Sequence, residues 1–244
     1  MHNPCAIIPV FDHEHAVSAV VAAVLAAGLP CVLVDDASNP ACAAVLRMLA
    51  GREHVYLLTL PVNQGKGGAV MAGFRQAQRL GFSHALQVDA DGQHDLSDIG
   101  LFLDRSRANP NAVVCGYPHY DASVPKARLY ARYLTHFWVW VNTLSLQIRD
   151  SMCGFRIYPL RPVIELIDTV QIGKRMDFDS DILVRLAWRN LPMQWLPVKV
   201  HYPQDGVSHF RMFHDNVLIT KMHTRLFFGM LARFPLILWR RWLP

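Results

Sequence analysis

Cysteine is scarce and its spacing is unproductive. Cys5, Cys31, Cys42, Cys115 and Cys153 make an odd five with no Cys-x-x-Cys pair, which excludes a disulfide framework and a zinc cluster and leaves small, reduced core residues. Membrane-spanning runs are lacking as well: the uncharged stretches of the C-terminal tail are cut by arginines before they reach the length of a bilayer crossing. Nor does the segment from Met1 to Val10 carry a basic leader and a long apolar run, so no secretory signal is expected and the protein is placed in the cytoplasm. Charged residues make up only 18% of the chain, yet 52% of it is hydrophobic, a balance that excludes disorder. Acids are outnumbered by bases, and the net charge of +5 suits nucleotides, anionic lipid head groups or nucleic acid. With no aromatic RNA-binding run and no helix-turn-helix pattern, nucleic acid is not expected as a partner. His13-Glu14-His15 lacks the spacing of a zinc-binding HExxH helix and reads as a polar first turn.

What is present in the 244 residues suffices for a large α/β domain. Short apolar runs at 5–10, 31–34, 54–60, 83–88 and 112–115 alternate with helical stretches at 16–27, 41–50, 69–80 and 95–106. This alternation predicts a mainly parallel sheet flanked by helices, in which ligands collect beyond the carboxyl ends of the strands. Three polar tips fall on that rim. At the first, Asp35-Asp36 precedes Ser38-Asn39-Pro40, and one carboxylate suits a base N–H or ribose hydroxyl, or simply a helix N-cap. At the second, Asn63-Gln64-Gly65-Lys66-Gly67-Gly68 lets backbone N–H groups and a lysine approach an anion, although its spacing is neither that of a Walker A loop nor of a Rossmann fingerprint. At the third, Asp89-Ala90-Asp91-Gly92-Gln93-His94 places two carboxylates on one side of an extended chain. Such a pair suits Mg²⁺ or Mn²⁺ completed by water and phosphate oxygens, against the alternative of an ordinary Asp-Gly turn.

The second half is less regular. A long helix over 126–147 carries Tyr130, Tyr133, Leu134, Phe137, Trp138, Val141 and Leu144 at helical spacing, a stripe expected to pack into the core, with a lipid-facing groove as the alternative. After Arg149 to Arg156 comes a helix ending near Val170, then one opened by Asp177, Asp179 and Asp181 and running through Trp188. Those acids are either first-turn dipole partners or the source of one general base. A strand over 193–201 and a loop over 202–211 lead to a tail in which Pro235 is expected to break or kink a helix. Its aromatic, aliphatic and arginine content suits an interfacial segment on anionic lipid; burial against the domain and dimerisation are the competing expectations.

Taken as an ordered set, Ile8-Pro9-Val10 with Glu14, Val34-Asp35-Asp36-Ala37-Ser38, the Asn63 to Ala69 loop, Asp89 to His94 and Cys153-Gly154-Phe155-Arg156 resemble glycosyltransferase family 2, in the branch around dolichol- and polyprenyl-phosphate sugar synthases. The resemblance implies a GT-A (Rossmann-like) α/β domain over 1–210 and a C-terminal amphipathic helical tail over 211–244. It implies a hexosyl- or N-acetylhexosaminyl-transferase using a nucleotide-diphospho-sugar donor, a UDP-sugar favoured, with Mg²⁺ or Mn²⁺ at Asp89, Asp91 and Gln93. Nucleotide contacts are implied from Pro9, Val10, Glu14, Asp35, Asp36, Asn63, Gly65, Lys66, Asp89 and Ala90, and acceptor or diphosphate contacts from Gly154, Phe155 and Arg156. The family's arginine ahead of Gly-x-Ser is replaced here by Gln204-Asp205 before Gly206-Val207-Ser208, leaving His209 or Arg211 as its substitute. The acid-rich helix start favours an acceptor hydroxyl, lipid-linked or of the cell envelope, deprotonated by Asp177, Asp179 or Asp181 in an inverting displacement. A polyprenyl-phosphate acceptor and a non-catalytic nucleotide-sugar-binding protein are the rivals. Peripheral contact with the inner face of the cytoplasmic membrane is expected.

Overall fold

The apolar runs become strands because each can bury both of its faces. In the computed structural model, which describes residues 2–118, 126–199 and 212–242, β1 (Pro4–Val10) sends Cys5 and Ile7 to one side and Ala6, Ile8 and Val10 to the other. β2 (Cys31–Asp35) divides Val32 and Val34 from Cys31 and Leu33 in the same way. With β3 (Val55–Thr59), β4 (His84–Gln87), β5 (Val113–Pro118), β6 (Arg156–Pro159) and β7 (Met193–Val198) they form a seven-stranded sheet in the order β3-β2-β1-β4-β6-β5-β7. Its pairings are parallel except those of β6, which runs antiparallel to both β4 and β5. The expected mainly parallel GT-A sheet is therefore present, with one reversed strand.

Helices α1 (Val17–Ala26), α2 (Pro40–Leu49) and α4 (Ile99–Ala108) cover one face; α3 (Lys66–Arg79), α5 (Lys126–Thr143), α6 (Leu160–Thr169), α7 (Phe178–Trp188) and α8 (Met212–Trp242) cover the other. α2 starts where it does because the Asn39 side chain accepts the Cys42 N–H at 2.9 Å with Pro40 opening the helix. The chain lays β1, β2 and β3 outward in one direction and then places β4 on the other side of β1. The crevice beyond the carboxyl ends of β2, β1 and β4 is thus the switch point where such sheets bind ligands.

Four expectations need correction. β6 was not foreseen: four residues with a buried arginine show no apolar run, and the strand exists because it fills a gap between β4 and β5. α3 begins at Lys66 rather than Ala69, since Gly65, at φ +80°, turns the chain into the helix a turn earlier. The aromatic stripe of α5 is only partly core: Val141 and Leu144 pack against the hydrophobic core, whereas Tyr133, Leu134 and Phe137 are more than half exposed. Finally, α8 is one helix of 31 residues that runs through Pro235. The carbonyl freed by proline belongs to Leu231, and the exposure of the 231–236 turn lets water satisfy it. One side of α8 is core, with Met222, Leu226 and Met230 buried, so the tail is welded to the domain along that side.

Candidate active site

Each strand of the switch point ends in a polar turn, and hydrogen bonds fix the turns to one another. The Asp36 N–H donates to the Val10 carbonyl at 2.9 Å, tying the end of β2 to that of β1, while Pro9 and Glu14 lie half-buried nearby in the chain. Asp35 accepts the Ser38 N–H at 2.9 Å and shapes the turn through Ala37, whose φ is +59°. Asp36 reaches across to the glycine loop and accepts the Gln64 N–H at 2.7 Å and the Gly65 N–H at 2.8 Å, and Asn63 Nδ2 donates to the Asp36 carbonyl at 3.2 Å. Burial pushes the Asp36 carboxyl up despite those two donors. These contacts give Asp35, Asp36 and Asn63 a structural task in the turns that face the crevice.

The glycine loop then delivers Lys66 to the carboxylates. A Cβ at Gly65 would lie 2.7 Å from the Lys174 carbonyl, so only glycine permits the loop to pass this close to the segment before α7. Lys66 Nζ lies 2.8 Å from Asp89 Oδ2 and 3.1 Å from Asp179 Oδ2, bridging the end of β4 to α7. Burial alone would raise the pKa of Asp89, but Lys66 and His94 together outweigh it and hold that carboxyl well below the usual range. Burial likewise disfavours the charged lysine, yet Asp179 and Asp89 together raise its pKa. His94 Nε2 stands 3.9 Å from Asp89 Oδ2, and the imidazole packs beside Phe155 with ring centroids 5.4 Å apart. Ala90 is buried, and Asp91 is half-buried, with its Oδ1 accepting the Gln93 N–H at 3.0 Å.

Gly154 brings the loop before β6 onto this cluster. A Cβ there would stand 2.8 Å from Gln87 Nε2, 2.9 Å from Lys66 Nζ and 3.1 Å from Asp89 Oδ2. Phe155 and Arg156, by contrast, are buried in the interior and cannot touch an acceptor. Arg156 Nη1 donates to the Asp179 carbonyl at 2.8 Å and to the Tyr158 hydroxyl at 3.1 Å, so it supports the site from beneath. Gln87 Nε2 does the same from β4, donating to Asp179 Oδ1 at 3.1 Å.

The three acids of α7 part company. Asp179 joins the cluster. Asp181, fully buried, is bound by Arg185 Nε at 2.6 Å, by Arg225 of α8 and by the Gly173 N–H at 2.8 Å. It is a structural anchor, which corrects its assignment as a base. Asp177 accepts the Arg175 N–H at 3.1 Å, and burial raises its pKa. His209 and Arg211 lie outside the described residues. A further cluster gave no signal in the sequence: Asp150, buried between the α5 end and β6, is held by Arg132 Nε and Nη2 at 2.8 and 2.6 Å and faces His136 Nε2 at 3.5 Å. Its members are 14 and 18 residues from Asp150 along the chain in no familiar motif.

Whether these residues fit a divalent cation is decided by three observations. Among the described residues no group of three or more His, Cys, Asp or Glu side chains is arranged as a metal cage. A two-carboxylate site is nevertheless what Mg²⁺ or Mn²⁺ uses when phosphate and water supply the rest. Asp89 Oδ1 is buried with no hydrogen-bond partner, an acceptor otherwise costly to leave unpaired, and Gly154 packs so close that a Cβ there would stand 3.1 Å from the other oxygen of the same carboxylate. The unpaired Asp89 oxygen therefore fits such an ion, with Asp91 two residues further along the chain.

Comparisons with known proteins bear on the family and the fold. A dolichyl-phosphate beta-glucosyltransferase of Dictyostelium discoideum is 26% identical over 220 residues, covering 86% of this chain and 64% of its own, so the chain spans less than two thirds of that relative's length. A polyprenol monophosphomannose synthase of Mycolicibacterium smegmatis is 28% identical over 191 residues, 72% of this chain and 68% of its own. Among solved structures, the glucosyl-3-phosphoglycerate synthase of Mycobacterium tuberculosis in complex with Mn²⁺ and UDP-glucose superposes with a TM-score of 0.66 at 11% identity, covering 95% of this chain and 79% of that one, a likeness of fold. The model of the family described as Glycosyl transferase family 2 matches residues 5–161, more than half of the chain, and with the strand tips it contains this protein belongs to that family.

Proposed function

We propose that the chain transfers a sugar from a nucleotide-diphospho-sugar to the phosphate of a polyprenyl- or dolichyl-type lipid. The observation that supports this acceptor is the state of the α7 carboxylates. Asp177 is engaged by a backbone N–H, Asp181 by two arginines, and Asp179 by Lys66 and Gln87. An acceptor hydroxyl requires a base that can take its proton, whereas an acceptor phosphate is already an anionic nucleophile and needs none. The acid-rich start of α7, which in the sequence favours a hydroxyl acceptor, is accounted for by internal pairing. The names of the two relatives, one dolichyl-phosphate and one polyprenol, point the same way.

In this reading Lys66 and the N-terminal turn of α3 receive the donor diphosphate, with the helix dipole adding to the lysine charge. Asp89 and Asp91 hold Mg²⁺ or Mn²⁺, with Gln93 beside them; when bound, the ion offsets the charge that develops on the departing nucleoside diphosphate. Asp36 holds the glycine loop in place, and Pro9 and Glu14 line the base end, with the buried Val10 beneath them. His209 or Arg211 is assigned the remaining diphosphate contact. Transfer is direct and inverting, the lipid phosphate oxygen displacing the nucleoside diphosphate at the anomeric carbon.

A hydroxyl acceptor is the second reading, favoured by Asp179 alone: a Lys66 that turned toward a bound diphosphate would release that carboxylate as a base. One assay separates the readings. Purified protein, Mn²⁺ and radiolabelled UDP- or GDP-sugars are offered a polyprenyl phosphate and the corresponding polyprenol. Label entering the phosphate alone supports the proposal; label entering the alcohol establishes the second reading; no turnover of any donor would leave a nucleotide-sugar-binding protein.

A further inference from the structure

Arg156 is placed at a cost to the fold. It sits on β6 with none of its side chain exposed, and two of its nitrogens, Nε and Nη2, are buried with no hydrogen-bond partner. A guanidinium keeps its charge at any ordinary pH, and holding that charge in the interior with donors unpaired is destabilising. For packing alone, an apolar side chain of similar length would serve as well or better. The remaining nitrogen shows what the residue faces. Nη1 donates to the Asp179 carbonyl and to the Tyr158 hydroxyl, and it stands 4.0 Å from Asp179 Oδ1.

Asp179 needs that charge because its nearer cation is shared. Only 10% of the Asp179 side chain is exposed; its Oδ1 accepts from Gln87 Nε2, and its Oδ2 lies 3.1 Å from Lys66 Nζ, which is also 2.8 Å from Asp89 Oδ2. One ammonium therefore stands between two carboxylates. Lys66 is 23% exposed and ends a flexible four-carbon stem, so it is free to turn. When it turns to an incoming diphosphate, Asp179 loses its nearest cation, and a buried carboxylate left without a counter-charge opposes the turn. Arg156 does not follow the lysine. Enclosed and tied to the α7 backbone and to Tyr158, it remains beside Asp179 whichever way Lys66 points. We infer that Arg156 is a positioning residue that acts through Asp179: it is the counter-charge that stays behind, and it frees Lys66 for the donor diphosphate.

The inference rests on the diphosphate-binding role of Lys66 in the proposed function and deepens it. Its test reads nucleotide affinity and needs no acceptor. UDP and GDP, with Mg²⁺, are titrated calorimetrically into the full-length wild type, Arg156→Met, Arg156→Lys, Asp179→Asn and the Arg156→Met/Asp179→Asn pair, each checked for folding by circular dichroism. Arg156→Met is expected to bind the preferred nucleotide roughly tenfold more weakly, because Lys66 stays on Asp179, and Arg156→Lys, which keeps the charge, to regain most of that loss. With Asp179→Asn present there is no carboxylate left to compensate, so the pair should bind within about twofold of Asp179→Asn alone. A purely structural Arg156 would instead lower affinity by the same factor in both backgrounds. That equal loss, an Arg156→Lys as weak as Arg156→Met, or a folded Arg156→Met with wild-type affinity overturns the inference. Should Arg156→Met not fold alone, Arg156→Gln, which retains a donor for the Asp179 carbonyl, takes its place in both backgrounds. Wild-type protein that binds neither nucleotide is a different failure: it removes the proposed donor site, and this inference with it.

Discussion

Two charge clusters meet on α7, and they are built from the same kinds of residue two positions apart. Asp179 shares Lys66 with Asp89 at the rim, and Asp181 is gripped by Arg185 and Arg225 beneath it. The deeper cluster is satisfied: both Asp181 oxygens have partners and two cations face one acid. At the rim, Asp89 and Asp179 share Lys66 with Arg156 in support beneath, and Asp89 Oδ1 has no partner. A completed ion pair holds a fold together, whereas a carboxylate with an unpaired buried oxygen is left able to take a further partner. Proximity in sequence says nothing about which role an acid takes.

The largest effect that would break this contrast is at the rim. Asp89→Asn removes the charge paired with Lys66 and, in the proposed function, with the metal, and transfer is expected to fall by roughly a thousandfold or more, about 4 kcal/mol of transition-state stabilisation, with a melting temperature close to wild type. Transfer assays and calorimetry on the same preparation check it; normal turnover would remove Asp89 from the site. Asp181→Asn should behave in the opposite way. Leaving two arginines without their fully buried counter-charge costs about 3–5 kcal/mol of stability, a drop on the order of 10 °C for a domain of this size, while nucleotide binding by the folded fraction persists. A denaturant midpoint unchanged from wild type would show that Asp181 anchors nothing.

A third polar pair sharpens the rule by testing its limit. Asn142 Nδ2 lies 3.2 Å from His223 Nδ1 between α5 and α8, and Asn142 Oδ1 and His223 Nε2 are both buried without partners. Here the unpaired atoms belong to no carboxylate, so they are expected to mark a stability cost and no chemistry. Burial lowers the His223 pKa from 6.5 to about 4, with Asp181 pulling weakly the other way. The unfolded chain therefore takes up this proton first as pH falls: the contribution is whole above pH 6.5 and is lost between about 6.5 and 4, on the order of 3 kcal/mol. His223→Gln should flatten the decline of melting temperature across that window and leave transfer unchanged. Comparing variant with wild type cancels the opposite drift of Asp36 and Asp177, whose raised pKa values favour the acidic side.

The same contrast explains what could be read before any coordinates. The first five strands were legible because each is a continuous apolar run ended by polar residues, and the crevice was legible because those ends follow one another in order. Asp89, Asp91 and Lys66 stood out for the same reason. β6 did not, since a four-residue strand held by its neighbours carries no periodicity of its own, and Arg156 looked like a ligand contact when its partners are the Asp179 carbonyl and Tyr158. The split among Asp177, Asp179 and Asp181 depends on Arg225, 44 residues beyond Asp181, a pairing that no local pattern announces. The outward turn of the α5 stripe was equally hidden, because helical spacing shows which residues share a side and leaves open what that side meets.

The smallest expected effect asks whether the rim depends on geometry as well as on charge. Gly154→Ala adds one methyl where Gln87 Nε2, Lys66 Nζ and Asp89 Oδ2 converge, and every charge remains. The nearest atoms are the ends of side chains, and the lysine can yield by a few tenths of an ångström, so folding is expected to be little changed. The yielding, however, moves Lys66 off the line between Asp89 and Asp179, which in the proposed function sets where a diphosphate is received. Small displacements of positioning groups are felt in rate more than in stability, and a loss of about tenfold in kcat/KM is expected. Steady-state kinetics with varied donor, beside a thermal melt, distinguishes the outcomes. A tenfold loss with an unchanged melt makes the rim a positioned cluster; an unchanged rate shows that Gly154 matters only for how the chain passes the carboxylates, and that net charge alone separates this cluster from the one at Asp181.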